Sequence, residues 1–379
     1  MNPAAAPDYP ARRRRTMAAM REVHADADAA VLCDPQDIHY LTGVRDGISW
    51  LMVLDQETLA VSRHMLVREV RAELPDCEVL LAAERSIESP DLAKFVASQL
   101  ARRGLERIVV DPAKLTAQAY LGFLNSAHQA ALQVLGVPNL LANLRAVKEP
   151  FEIALTRLCV AIAETAFRDL LDGGSLVGRT ERELARELEL RMWDAGADRQ
   201  GFPGTGIIVA SGPNSACPHH SPGARRVARA EPVLFDWGAE VAGYRSDTTR
   251  TVFPGGVPDF AKRAYPVVEE ALDRAAARLR AGAPMAEIDL AARETILAAG
   301  YPEFHYGVGH GVGLAIHEAP WLRADSNAIC QPNMLTTIEP GVYLPDVGGI
   351  RIENVYRITA DGSETMGDLP TALEAMVVH

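Results

Sequence analysis

Two pairs of acids carry the first chemical signal in this chain. In PVLFDWGAEVAGYRSDTTRTVF, Asp236 and Asp247 stand 11 residues apart (247 − 236), and in TTIEPGVYLPDVGGIRIENVYRIT, Glu339 and Glu353 stand 14 apart (353 − 339). Both pairs sit among Val, Leu, Ile and Phe, where an ionised carboxylate is costly to bury unless something positive meets it. If the two segments face each other, four carboxylates share one pocket. They must then be protonated, be met by Arg245, Arg250, Arg351 or Arg357, or hold metal. Two divalent ions bridged by carboxylates about 3.5–4 Å apart, completed by one imidazole, match this composition best. The segment GVGHGVGLAIHEAP supplies two histidines for that place, His310 and His317. The glycines flanking His310 would let backbone approach a crowded centre. Taken singly, any of these acids reads as a turn former, a solvated charge or an arginine partner, and His310 as a loop histidine; the joint pattern carries the argument.

The elements that would position these residues occur twice. Each acid pair lies on two extended runs around a glycine-containing turn, the pattern of a β-hairpin. Each hairpin follows an amphipathic helix: LDGGSLVGRTERELARELELRMWDAG is answered by LRAGAPMAEIDLAARETILAAG. Thr180 and Glu183 form a capping box for the first helix, with Leu184, Leu188 and Met192 on one face and Gly196 as its stop. The terminal glycines are offset by 104 (300 − 196), Asp236 and Glu339 by 103 (339 − 236), and Asp247 and Glu353 by 106 (353 − 247). A pseudo-two-fold repeat is expected. A further long helix is predicted from Pro150, with Leu155, Leu158, Ile162 and Ala166 as its apolar stripe.

A chain of 379 residues suggests two domains. From Ala29 to about Val137, short apolar strands alternate with helical stretches, including a helix over Gln118 to Leu135, which implies an α/β layer domain. The net charge of −12 disfavours nucleic acid as a partner, because phosphate-backbone binders cluster Lys and Arg. No apolar run has the length of a membrane span. The basic run Arg12–Arg15 is expected to be a solvated start of the first helix, not part of a signal peptide. Five scattered cysteines without a C-x-x-C pair argue against a disulfide framework and a cysteine zinc site; they fit a reducing cytoplasm. Cys159 reads as core filler. The chain has no G-x-S-x-G elbow, H-E-x-x-H helix or phosphate-binding G-x-x-x-x-G-K-[ST] loop.

The segments DWGAEVAGYRSDTTRT, GVGHGVGLAIHE, TIEPGVY and GGIRIEN, in that order, closely resemble the signatures of the pita-bread metallopeptidases, specifically the Xaa-Pro dipeptidase and Xaa-Pro aminopeptidase branch. DPQDIHYLTG resembles that branch's creatinase-like N-terminal domain. The resemblance implies a smaller α/β domain over residues 1–144 and, over 145–379, an α+β pita-bread catalytic domain with a pseudo-two-fold repeat. It implies Asp236, Asp247, His310, Glu339 and Glu353 as ligands of two divalent ions, Asp247 and Glu353 bridging both. An oxygen-rich set with one imidazole suits Mn²⁺, with Co²⁺, Zn²⁺ and Fe²⁺ as alternatives.

The same resemblance implies hydrolysis of the Xaa-Pro bond of dipeptides or short peptides by a hydroxide bridging the metals. Glu339 would carry the proton, while His219, from PNSACPHHSP, and His317 would act on the substrate. Arg351 would support the carboxylates, and His220 and His305 would stand one layer further out. A homodimer is the family expectation. The chain departs from the family dipeptidases at HEAPWL, where Trp321 occupies the place of an arginine able to hold a substrate's terminal carboxylate; Arg323 lies two residues on. Trp321 cannot make that charge-assisted bond but could pack on a proline ring. Two other functions compete: hydrolysis of a small non-peptide amide or amidine on the same fold, and a metal-free binding module.

Overall fold

Residues 7–82, 91–204 and 206–378 are described by the computed structural model. The chain divides into two compact units, Pro7–Arg145 and Ala146 to the C-terminal end. The first is a six-stranded mixed sheet with flanking helices. Its strands are β1 (Ala29–Leu32), β2 (Ile48–Leu54), β3 (Thr58–Ser62), β4 (Glu78–Leu81), β5 (Arg107–Val110) and β6 (Gln133–Gly136), in the order β4-β3-β2-β1-β5-β6. The continuous apolar runs of β1 and β3 are buried along their whole length, as a sheet covered on both faces requires.

Two expectations fail in this unit. The helix predicted over Gln118 to Leu135 is Ala117–Gln129, and residues 133–136 turn instead into β6, parallel to β5. Its short QVLG run has no period of its own, and pairing with RIVV decides its state. The basic run is not simply solvated either. Arg12 and Arg13 are 1% and 6% exposed; Arg12 lies over the Tyr40 ring and donates to the Tyr40 carbonyl, and Arg13 pairs with Asp76.

The second unit contains the repeat. The helices Pro150–Asp172 and Glu181–Asp194 pack together, as do Asp259–Ala276 and Met285–Ala298. Glu181–Asp194 and Met285–Ala298 have the same length and are offset by 104 residues (285 − 181). Within the long helix the buried face runs through Ile153, Thr156, Cys159, Ala163, Phe167 and Leu170. The expected stripe is rotated from this face: Ile162 and Ala166 are buried, but Leu158 is 45% exposed. Cys159 is core, as expected. Trp237 anchors the helix to the sheet, stacking on Phe167 at 4.3 Å and donating its indole N–H to the Ala163 carbonyl at 2.9 Å.

In the first half, β7 (Arg199–Gln200) pairs with the small hairpin β10 (Ala239–Val241) and β11 (Tyr244–Arg245), while β8 (Ile208–Ser211), β9 (Val233–Trp237) and β12 (Thr248–Pro254) form an antiparallel sheet. In the second half, β13 (Gly309–Gly311), β14 (Glu318–Leu322), β15 (Leu335–Ile338), β18 (Asn354–Ile358) and β19 (Ser363–Thr365) form a sheet in the order β14-β13-β15-β18-β19. The hairpin β16 (Gly341–Leu344) and β17 (Gly348–Arg351) projects between β15 and β18, as β10–β11 does between β9 and β12. The short C-terminal strand β20 (Val377–Val378) joins β12. An isolated bridge, Thr249 to Glu353, pairs the two halves at an offset of 104 (353 − 249), so it lies on the pseudo-two-fold axis.

The glycines beside His310 are needed for close packing. A Cβ on Gly309 would lie 2.0 Å from the Thr337 carbonyl oxygen, and one on Gly311 2.2 Å from that of Ala319. Gly309→Ala should therefore cost about 1–3 kcal/mol, as overpacked cores do, and lower the melting temperature by several degrees. Gly122→Ala, in mid-helix with nothing within 4 Å of the added methyl, should instead stabilise by up to about 1 kcal/mol. Equal thermal shifts for the two variants would refute the steric reading.

Candidate metal and peptidase centre

The bridge at the axis brings the strand ends together. Asp236 lies on β9, Asp247 immediately before β12, Glu339 immediately after β15, and Glu353 between β17 and β18. All four acids line one cavity of about 1030 Å³, together with His310 and His317. His219, His220, His305, Trp321 and Arg323 line the same cavity, so all these sequence candidates come together. Arg351 lies behind the acids, 2% exposed.

Asp236 and Glu353 each have one anchored oxygen and one that is buried without a partner among the described residues. Asp236 Oδ2 accepts from Arg351 at 2.6 Å, and Glu353 Oε2 accepts from the Thr249 hydroxyl at 2.7 Å. Asp236 Oδ1, Glu353 Oε1 and Asp247 Oδ1 are buried without a hydrogen-bond partner among the described residues. Orphaned buried acceptors are rare, and such oxygens suit the coordination of a cation. Candidate donor atoms of Asp236, Asp247 and Glu353 lie within 4.8 Å of one another, as do those of His310, Glu339 and Glu353. The donor set therefore fits divalent metal.

His310 is prepared for the same task. Its Nδ1 lies 3.1 Å from the Gly311 carbonyl, which can only accept, so Nδ1 carries a proton, and Nε2 faces the acids. Nε2 is 3.2 Å from Glu339 and 3.6 Å from Asp247. The backbone of His310 is pinned by Thr337, which accepts its N–H, and by Thr336, which donates to its carbonyl. A bulge between His310 and Gly311 re-aims the strand at this point. His317 meets the His310 ring edge-on at 4.3 Å.

Burial, then the charges of Glu353, Asp236 and Glu339, push the Asp247 carboxyl well above its ordinary range. Burial and the charges of Glu339 and Asp236 do the same to Glu353. Asp236 is also raised, by burial above all, against the pull of Arg351. Glu339 runs the other way: burial opposes its ionisation, but the hydrogen bond and charge of His310 and the charge of Arg351 outweigh it. Burial, with His310 next, pushes His317 down to about 4, so its imidazole is neutral at pH 7.

Apart from Arg351, which the resemblance implies, several supporting residues carry no sequence signal of their own. Arg351 joins Asp236, Thr249, the Tyr343 hydroxyl and the Pro218 carbonyl, and Tyr343 in turn meets the Tyr306 hydroxyl at 2.7 Å. Arg250, named above only as one possible neutraliser, does not reach the acid side chains. It donates to the carbonyls of Thr249, Glu353, Leu369 and Pro370, clamping the backbone on both sides of the axis. Arg245 pairs with Glu240 and Arg357 with Glu364, so neither neutralises the cluster. His220 turns to Glu181. Arg323 stands on the rim, 3.2 Å from Asp325.

The sequence profile of Metallopeptidase family M24 matches residues 154–360, and that of the Creatinase/Prolidase N-terminal domain matches 12–147. The chain belongs to metallopeptidase family M24. It is 30% identical over 347 residues to an uncharacterized peptidase, YqhT, from Bacillus subtilis, covering 91% of this chain and 95% of that one. Among solved structures, an Xaa-Pro dipeptidase from Bacillus anthracis superposes with a TM-score of 0.87 at 28% identity, covering 97% and 100% of the two chains. An X-Pro aminopeptidase from Thermotoga maritima superposes with a TM-score of 0.81 at 27% identity, covering 93% and 98%. The two-part architecture, a creatinase-type N-terminal domain before an M24 catalytic domain, is that of the family. No helix among the described residues is long and apolar enough to cross a membrane.

As an M24 member the protein should reveal its acid cluster by titration. A buried acid with a raised pKa binds its proton more tightly when folded, so the metal-free fold loses stability as pH climbs through the ordinary carboxylate range toward neutrality. Metal competes with those protons. Saturating Mn²⁺, at about 100 times its Kd, should stabilise the stripped protein by about 2.7 kcal/mol at pH 7.5 and by less than half as much at pH 5. Metal-free Asp247→Asn should melt above metal-free wild type. Scanning fluorimetry measures both; a pH-independent metal shift, or a lower melting point for that variant, contradicts the electrostatic account.

Proposed function

We propose that this protein is a dinuclear Xaa-Pro peptidase that accepts peptides longer than two residues. The observation carrying the reading is the set of three orphaned carboxylate oxygens on the pseudo-symmetry axis, facing a cavity into which His219 and His317 project. Four carboxylates and one guanidinium leave a formal charge of −3 (−4 + 1), which two dications offset. Asp247, Glu353 and His310 each belong to two of the clustered donor groups; of these only the two carboxylates offer a second oxygen, so they are the bridging pair in this reading. His310 completes the set, and Mn²⁺ is the ion best matched to it. Bound there, the ions supply Lewis-acid chemistry, acidifying a water and polarising the scissile carbonyl.

The chain's own groups do the rest. Glu339, ionised at neutral pH, takes the proton of the attacking water and passes it to the departing proline nitrogen as the C–N bond breaks. His317 is neutral and donates its single ring N–H to the carbonyl oxygen as negative charge gathers there. His219 approaches the peptide from the opposite loop. Trp321 and Phe202 give the cavity flat apolar surface suited to a pyrrolidine ring. With Trp321 in the dipeptidase arginine's place and Arg323 turned to Asp325 on the exposed rim, no guanidinium among the described residues stands where the dipeptidase arginine would hold a dipeptide's terminal carboxylate, which favours longer peptides. The same reading has the protein working as a homodimer in the cytoplasm.

A peptide-length panel of Xaa-Pro and Xaa-Ala substrates with metal analysis tests this. Asp247→Asn and Glu353→Gln should each lower turnover by more than the ~10–100-fold typical of losing a group that only supports a ligand, with the fold intact. Retained turnover in either would overturn the ligand assignment, whereas wild type that holds no metal and cleaves nothing would show a binding module instead. Trp321→Arg should shift preference toward Xaa-Pro dipeptides over tripeptides by roughly tenfold or more, as a charge-assisted bond of about 1.5–3 kcal/mol implies. An unchanged ratio rejects the length argument.

A further inference from the structure

Glu181 takes no part in the acid cluster, yet five hydrogen bonds converge on it. It opens the helix Glu181–Asp194 and is 0% exposed. Its Oε1 accepts from the Ser211 N–H at 2.8 Å, the Ser211 hydroxyl at 2.8 Å and the Asn214 amide at 2.9 Å. Its Oε2 accepts from the Gly223 N–H at 3.0 Å and from His220 Nε2 at 2.9 Å. Every donor lies between Ser211 and Gly223, the segment that leaves β8 and carries His219. Burial opposes the charge, but these bonds outweigh it and hold the carboxyl below its usual range. The helix N-terminus favours the anion further.

The two neighbours of His219 are tied to different parts of the molecule. The Pro218 carbonyl accepts from Arg351, which also holds Asp236. On the other side, the His220 ring is held by Glu181. The outgoing end of the segment is stitched to the same helix, Glu181 N–H to the Arg225 carbonyl and Arg182 N–H to that of Gly223, both at 3.1 Å. His219 itself makes no such bond among the described residues and projects, exposed, into the cavity.

We propose that Glu181 is a positioning residue for His219, fixing the 211–223 loop at His220 as Arg351 fixes it at Pro218, so that the imidazole stands over the acid cluster. The inference rests on the substrate role given to His219 above. Glu181→Gln is its sharpest probe, because an amide replaces one acceptor oxygen by a donor and faces at least two N–H groups whichever way it turns.

Four forms should be compared: wild type, Glu181→Gln, His219→Ala and the double variant. Glu181→Gln should lower kcat/KM on Xaa-Pro peptides by about 10- to 100-fold, the usual effect of losing an outer supporting group, with Mn²⁺ stoichiometry and affinity by calorimetry unchanged. In the His219→Ala background the same change should have almost no further effect, because the two act as one unit. Hydrogen exchange should quicken over 211–223 and not in β12, β15 or β18. His220→Ala, which leaves the carboxylate in place, should reproduce part of the loss. Multiplicative effects in the double variant, or unchanged exchange in 211–223, would overturn the proposal. If wild type binds Mn²⁺ but cleaves no peptide, the peptidase reading falls, and the exchange comparison still decides whether Glu181 holds the loop.

Discussion

Like charges cannot be buried side by side without a counter-charge, and the second unit is organised around that constraint. Asp236, Asp247, Glu339 and Glu353 come from four different strand ends, and for Asp236 and Glu353 the polar groups behind them secure one oxygen and leave the other without a partner among the described residues. Such a site is pre-organised for cations at the cost of stability in their absence. The opposite shifts of the acids follow from their neighbours. Glu339 lies against His310 and Arg351, whereas Asp247 and Glu353 lie against other acids. One group of residue types thus contains acids pushed toward the neutral form and one held ionised.

Around this centre the supporting residues divide by direction. Arg351 reaches forward to Asp236 and the Pro218 carbonyl, while Arg250 reaches back to main-chain carbonyls of β12, the Glu353 turn and the C-terminal segment. The two arginines are not interchangeable, since one sets charge and the other sets backbone. The paired helices differ in the same way. The start of Glu181–Asp194 holds a loop through a carboxylate, whereas Met285–Ala298 holds the 303–308 segment through Arg293 and Asp289, which bind the Phe304 and Tyr306 carbonyls and the Val308 N–H. Repetition of the scaffold has left each half free to use a different chemistry for the same task.

Much of this was legible in the sequence because acids in apolar strands and glycines beside a histidine are unusual locally, and the offsets of 103 to 106 tie them together. What stayed hidden depends on partners far away in the chain. Glu181 lies in TERE, where the capping box draws attention to Glu183; its five donors are 30 to 42 residues on. Leu158 looks like core by type, but small residues on the adjoining face, Cys159 and Ala163, let the helix pack closer there. Arg12 looks like surface by charge, yet its stem and guanidinium cover the Tyr40 ring. Residues 133–136 have no helical or strand period and take the state of the strand they meet.

The bridge between Thr249 and Glu353 has an implication for how such a pocket can arise. Half of this unit, with one hairpin and one pair of acids, would leave them facing water and would have no counterpart for its axial strand. Only a second copy could close the pocket, and that assembly would be bound to use identical groups on both sides. Joining the halves in a single polypeptide removes that obligation: aspartates can serve one side and glutamates the other, and a lone imidazole can be supplied from one side only.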